Sequence, residues 1–165
     1  MKALILIDIQ NGLTKKKTLF NEQLFFRSIN AAIKDYRDSG LKIIHVQHNN
    51  NQLKNGTYDW EIDNRIDRQN HDIIIQKKHG NAFQGTELKT ILNDLKIKSI
   101  TIGGLVSHGC VKATCLGGLS EGFKTSILKN GHTNWNKDAD TIIYNTETEL
   151  SKKGVLLDTV SVTTL

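Results

Sequence analysis

"KSITIGGLVSHGCVKATCLGG" (residues 98–118) carries three successive patterns: an apolar run, a turn rich in glycine, and a helical repeat. "KSITIGG" (98–104) is continuous rather than alternating in its hydrophobicity, as expected of a strand buried on both faces. "CVKATCLGGLSEG" then places Val111, Cys115 and Gly118 on one helical seam. The same strand-then-helix unit recurs along the chain. Apolar, β-branched runs occur at "ALILID" (3–8), "LKIIHVQH" (41–48), "DIIIQK" (72–77) and "KTSILK" (124–129), with a weaker one at "GVLLDTVSV" (154–162).

Helical patterns separate them. In "EQLFFRSINAAIKDYRDSG", Phe25, Ile29, Ala32, Ile33 and Tyr36 share a stripe. In "TELKTILNDL", Leu88, Ile91, Leu92 and Leu95 do the same, with Thr86 placed to cap. "KDADTIIYNTETELSKKG" supplies the last helix, and the polar segment 49–71 reads as a long loop. Alternation of buried strands with helices predicts one domain over residues 1–165. Its architecture is a three-layer α/β/α fold with a mostly parallel, Rossmann-like sheet of about six strands.

Composition narrows the function classes. The 165 residues suit one core, and the two cysteines make no disulfide framework. "MKALILIDIQ" has too short an apolar run for a signal peptide, and no stretch approaches the length of a membrane span, so a cytoplasmic protein is expected. The formal charge of +5 is scattered over "KKK" (15–17), "KK" (77–78) and "KK" (152–153), without a basic stripe interleaved with aromatics. These are solvated faces, and no nucleic-acid or membrane partner is expected.

Ligands of parallel sheets collect beyond the carboxyl ends of the strands. That edge should bring together Asp8, Lys77 and Cys110. The start of a helix and a nearby ammonium both favour a thiolate at Cys110. Asp8 is placed to take the thiol proton and return it to a departing amine, and backbone N–H groups of the turn can hold an oxyanion. Each residue also has an ordinary reading: buried cysteine, turn aspartate, solvated lysine. Cys115 lies five residues after Cys110, ~8–9 Å away on a regular helix and too far for a disulfide. It reads as core.

Four motifs, in order along nearly the whole chain, resemble the cysteine hydrolase (amidohydrolase) branch of the isochorismatase-like superfamily. They are "LILIDIQNGL", "GTYDWEIDNRI", "QKKHGNAFQGTEL" and "GLVSHGCVKATC". The resemblance implies a catalytic triad of Asp8, Lys77 and Cys110, with Lys77 rather than Lys78 chosen by its spacing from Phe83. It implies a non-proline cis peptide at Leu105–Val106 that aims the Val106 N–H, with that of Cys110, at the oxyanion. It also implies hydrolysis of a C–N bond of a small carboxamide or ureido compound through an acyl-thioester, and assembly into homodimers or larger homo-oligomers. Cysteine at position 110 argues against the branch that hydrolyses a vinyl ether without a thiol. Gln10, Trp60, Phe83 and His108 are the expected substrate-binding residues.

The chain departs from the metal-binding nicotinamidases of that superfamily. In "HVQHNNNQLKNG", His45 and His48 point to opposite faces of an extended strand, and no suitably spaced third ligand follows before His71. No metal or other cofactor is therefore expected. His79 is a weaker pocket candidate, and His132 in "NGHTNW" flanks the pocket or meets a neighbouring subunit. A hydrolase of a non-amide bond, a non-catalytic binding protein and a thiol sensor remain the alternatives.

Overall fold

The computed structural model of the protein describes residues 1–162, so the last three positions of the expected domain lie outside the described residues. Six strands form one sheet: β1 (Lys2–Ile7), β2 (Lys42–His48), β3 (Ile73–Lys77), β4 (Ser99–Leu105), β5 (Lys124–Thr133) and β6 (Leu156–Asp158). Their order is β3-β2-β1-β4-β5-β6, and every neighbouring pair is parallel. The chain winds outward from β1 in one direction, then returns to β1 and winds in the other. The direction reverses between β1 and β4, where such sheets open a crevice at the strand ends.

Strand β1 shows why its sequence is continuously apolar. Leu4 and Leu6 pack on one face with Phe25, Ile29 and Ile33 of α2 (Glu22–Asp38). Ala3, Ile5 and Ile7 pack on the other face, among residues of α3 (Leu88–Asp94), α4 (Lys112–Ser120) and α5 (Ala139–Lys152). A four-residue helix α1 (Asn11–Thr14), absent from the periodicity, leads off from the site. The N-cap of α3 is Glu87 rather than the expected Thr86, which lies one residue earlier and accepts the Leu88 N–H at 3.2 Å. Among the described residues no helix is long and apolar enough to cross a membrane.

Strand β5 runs four residues beyond the expected 124–129. Its register against β4 jumps from Ile102↔Ile127 to Gly104↔His132. Asn130 takes a left-handed conformation (φ 61°) inside this bulge. A bulge inserts residues without ending the strand, which a hydrophobicity pattern does not reveal. "NGHT" therefore belongs to the sheet and His132 to the interior.

The reversal point depends on close approach. At Gly104 (φ 122°) an added Cβ would lie 2.1 Å from the Ile7 carbonyl oxygen of β1. At Gly118 it would lie 2.7 Å from Thr125 Oγ1, so α4 sits hard against β5. Replacing Gly104 by alanine should thus combine a disfavoured φ with a backbone clash. Gly104→Ala is expected to destabilise the fold by about 3 kcal/mol or more in urea unfolding. An unchanged midpoint would show that the approach is dispensable.

Candidate active site

Asp8 is the first residue after β1 and adopts a left-handed backbone (φ 56°), which aspartate tolerates better than most residues. Its N–H donates to Val46 O at 2.9 Å, and its C=O accepts from Gln10 N at 2.8 Å. Lys77 ends β3, in register with His48 at the end of β2. Cys110 lies in a wide helical turn, Ser107–Val111, between β4 and α4, beside the non-helical Gly109 (φ −110°, ψ −115°). The Leu105–Val106 peptide at the start of this turn is cis. Three adjacent carboxyl ends and the turn thus deliver their side chains to one place.

The lysine is the hub. Its side chain has no exposed surface, and Nζ lies 2.7 Å from His48 Nδ1, 3.0 Å from His79 O, 3.1 Å from Cys110 Sγ and 3.2 Å from Asp8 Oδ2. An ammonium has three protons and accepts none, so these four acceptors share them. His48 Nδ1 must then be a lone pair, which leaves the ring proton on Nε2. His48 Nδ1 is also 3.6 Å from Asp8 Oδ2 and 4.0 Å from Cys110 Sγ.

Burial, followed by the Asp8 charge, pushes the Cys110 thiol up to about 11, against the smaller downward pull of Lys77. The expected thiolate is corrected accordingly. The turn and the ammonium do favour the anion, but removal from water and a neighbouring carboxylate outweigh them. At rest the sulfur holds its proton. Cys115 is fully buried on the α4 seam, where burial alone pushes it to about 12. Both cysteines are free thiols.

Asp8, His48 and Cys110 also offer oxygen, nitrogen and sulfur atoms within 4.8 Å of one another, a set that could ligate a metal ion. Yet Lys77 Nζ lies within 3.2 Å of all three and carries a full positive charge. The set does not fit an ion while the lysine holds that position.

A cleft of about 190 Å³ opens over Asp8, His48 and Cys110. Leu13, Leu53, Val106 and Trp135 line it, together with the exposed Asn50 and Gln52. Of the expected substrate-binding residues, none lines this cleft. Gln10 is fully buried, and its amide is spent on the backbone: it donates to His48 O (3.0 Å) and Trp60 O (2.8 Å) and accepts from His48 N (2.9 Å). Trp60 donates its indole N–H to Gln76 at 2.8 Å. Phe83 stacks on Phe123 in the core, centroids 5.8 Å apart. His108 is exposed on the turn.

The other histidines separate by face, as the spacing of β2 requires. His45 bonds Asp72 at 3.1 Å away from the site, and burial lowers its pKa. His79 contributes its carbonyl, not its ring. His132 neither flanks the cleft nor reaches a surface: it is enclosed between Ser107 Oγ (2.8 Å) and Glu147 Oε1 (2.9 Å) beneath the turn.

Residues 2–146 match the Isochorismatase domain family, and the chain belongs to it. It is an isochorismatase-family hydrolase. An uncharacterised isochorismatase family protein of Bacillus subtilis is 25% identical over 135 residues, covering 78% of this chain and 75% of that one. N-carbamoylsarcosine amidase of an Arthrobacter species is 31% identical over 71 residues, 43% of this chain and 27% of the amidase. A crystal structure of an isochorismatase family protein superposes with a TM-score of 0.90 at 27% identity, covering 95% of this chain and 97% of that one.

The two charges beside the sulfur act in opposite directions, which can be measured. Asp8→Asn should lower the pH at which Cys110 ionises, and Lys77→Met should raise it beyond about 11, followed by thiolate absorbance in the ultraviolet. Shifts in the same direction would refute this account of the thiol.

Proposed function

We propose that the protein hydrolyses a C–N bond of a small carboxamide or ureido compound, with Cys110 as nucleophile. The observation that carries this reading is the Lys77 ammonium bridging Asp8 Oδ2 (3.2 Å) and Cys110 Sγ (3.1 Å) at the cleft. Asp8 takes the thiol proton as Cys110 Sγ attacks the carbonyl carbon, so a thiolate forms only when it is used. Lys77 stabilises the carboxylate before the transfer and the sulfur during it. The N–H groups of Val106 and Cys110 receive the negative charge that develops on the carbonyl oxygen.

Collapse of the tetrahedral intermediate breaks the C–N bond, and Asp8 returns its proton to the departing nitrogen. The acyl group is left as a thioester on Cys110. Water then attacks that carbonyl, Asp8 accepts its proton, and the C–S bond breaks. The sulfur recovers a proton, and the products are the acid and ammonia or an amine. His48, held through Nδ1, keeps Lys77 oriented throughout. Gln10 acts one step removed, by fixing the His48 backbone.

Ammonia release from a panel of small amides and ureas tests the proposal. Cys110→Ala is expected to reduce kcat by about 1,000-fold or more, and Asp8→Asn by about 100- to 10,000-fold. Mass spectrometry of the quenched wild-type reaction should show an acyl adduct on the Cys110 peptide. Hydrolysis that survives Cys110→Ala would replace this mechanism with attack of water on a non-amide bond.

A further inference from the structure

We infer that the substrate is uncharged: a small primary carboxamide or terminal ureido compound without a carboxylate near the reacting carbonyl. This rests on the reading of Cys110 as nucleophile and specifies what that nucleophile meets. Three observations point the same way.

The first is the charge that the cleft presents. Among the described residues lining it, Asp8 is the one charged group, and no lysine or arginine is present. Lys77 does not supply the missing cation, because its side chain has no exposed surface and its protons are committed to four acceptors. An anionic substrate would find no cation of its own to pair with, since the one ammonium nearby is already paired with Asp8, and a partly buried charge left unpaired is costly. Lys17 lies over the Trp135 ring, Nζ 5.8 Å from the centroid, but it is exposed and outside the lining. Water and salt screen it there.

The second is an orphaned acceptor. Asp8 Oδ1 is buried and has no hydrogen-bond partner among the described residues. Such an atom is costly unless something bonds it, and it can only accept. The N–H of a carboxamide or ureido group supplies the missing proton and places the scissile nitrogen against the group that must later protonate it. A carboxylate oxygen at the same point would meet oxygen with oxygen.

The third is size and polarity. About 190 Å³ is below the range of drug-sized pockets. Leu13, Leu53 and Trp135 offer apolar contact to a substituent, and the side-chain amides of Asn50 and Gln52 offer neutral hydrogen bonds. An apolar or aromatic group on the amide fits these walls.

The test uses the folded, full-length protein and needs no knowledge of the natural substrate. Iodoacetamide and iodoacetate perform one reaction on a thiolate: an S–C bond forms as C–I breaks and iodide leaves. They differ in presenting a neutral carboxamide or a carboxylate. The rate at the Cys110 peptide is measured by mass spectrometry for each, and their ratio is divided by the same ratio for 2-mercaptoethanol. Cys110 is expected to favour iodoacetamide by at least about 10-fold after this correction. Asn50→Lys, which adds a cation at an exposed lining position, should narrow the preference.

A corrected preference below about 10-fold, or one for iodoacetate, overturns the inference and leaves the nucleophile reading standing. If neither reagent modifies Cys110 even near pH 11, where its thiol ionises, while circular dichroism shows a folded protein, the nucleophile reading falls and the inference falls with it.

Discussion

A lysine side chain with no exposed surface has to be neutralised and hydrogen-bonded where it stands, or the fold that buries it is penalised by several kcal/mol. Lys77 meets that demand with groups from four separate segments: Asp8 after β1, His48 at the end of β2, the His79 carbonyl beyond β3, and Cys110 in the turn after β4. With three protons shared among these four groups, loss of any two of them leaves part of the ammonium unbonded. The same contacts that satisfy a buried charge therefore set the relative positions of the carboxylate and the sulfur. Stability of the sheet edge and geometry of the site are one requirement. This also accounts for the metal-like arrangement of Asp8, His48 and Cys110: it is the coordination shell of an ammonium.

Outside that shell, further hydrogen bonds hold the ligands of the lysine in place. The Gln10 amide grips the His48 backbone on both its N–H and C=O and ties it to the Trp60 carbonyl, so the long loop is fastened to the end of β2. Beneath the turn that carries Cys110, Glu147 of α5 bonds His132, which bonds Ser107, three residues before Cys110. Burial alone would raise the Glu147 carboxyl, but its bonds and charge contacts with His132 and Lys129 hold it below the usual range. The β5 bulge brings His132 into this chain. A helix, a strand and the turn are thus fastened to one another by side chains that never reach the cleft.

These two layers mark what could be read from the sequence. Asp8, Lys77 and Cys110 were legible because each ends or follows a recognisable apolar run, and parallel topology sends all such ends to one edge. The same rule applied to "HVQH" would have placed His48 there as well, since it closes β2 in register with Lys77. Gln10 was expected to bind substrate, and nothing local signals that its amide would be consumed by backbone of distant segments. Trp60 and Phe83 are aromatics whose partners, Gln76 and Phe123, are set by packing between distant stretches. Period and spacing carry no signal for such partners. The cleft walls Leu13, Leu53 and Trp135 sit in or next to loops and a four-residue helix, where local pattern says little about direction.

The protonated state of Cys110 follows from the same architecture. An exposed cysteine at the start of a helix would gain from the partial charge there and ionise readily. Here the sulfur is partly buried and shares its cation with a neighbouring carboxylate, and both raise the thiol against the pull of Lys77. One ammonium beside two potential anions can neutralise one of them. Carboxylate and ammonium form the resting ion pair, and the thiol remains uncharged between them. In the proposed reaction, transfer of the proton from sulfur to Asp8 would exchange one anion for another beside a fixed Lys77, with no change in net charge. A site that keeps its net charge constant through such a step needs little rearrangement of its surroundings, and a rigid, buried lysine is suited to that role.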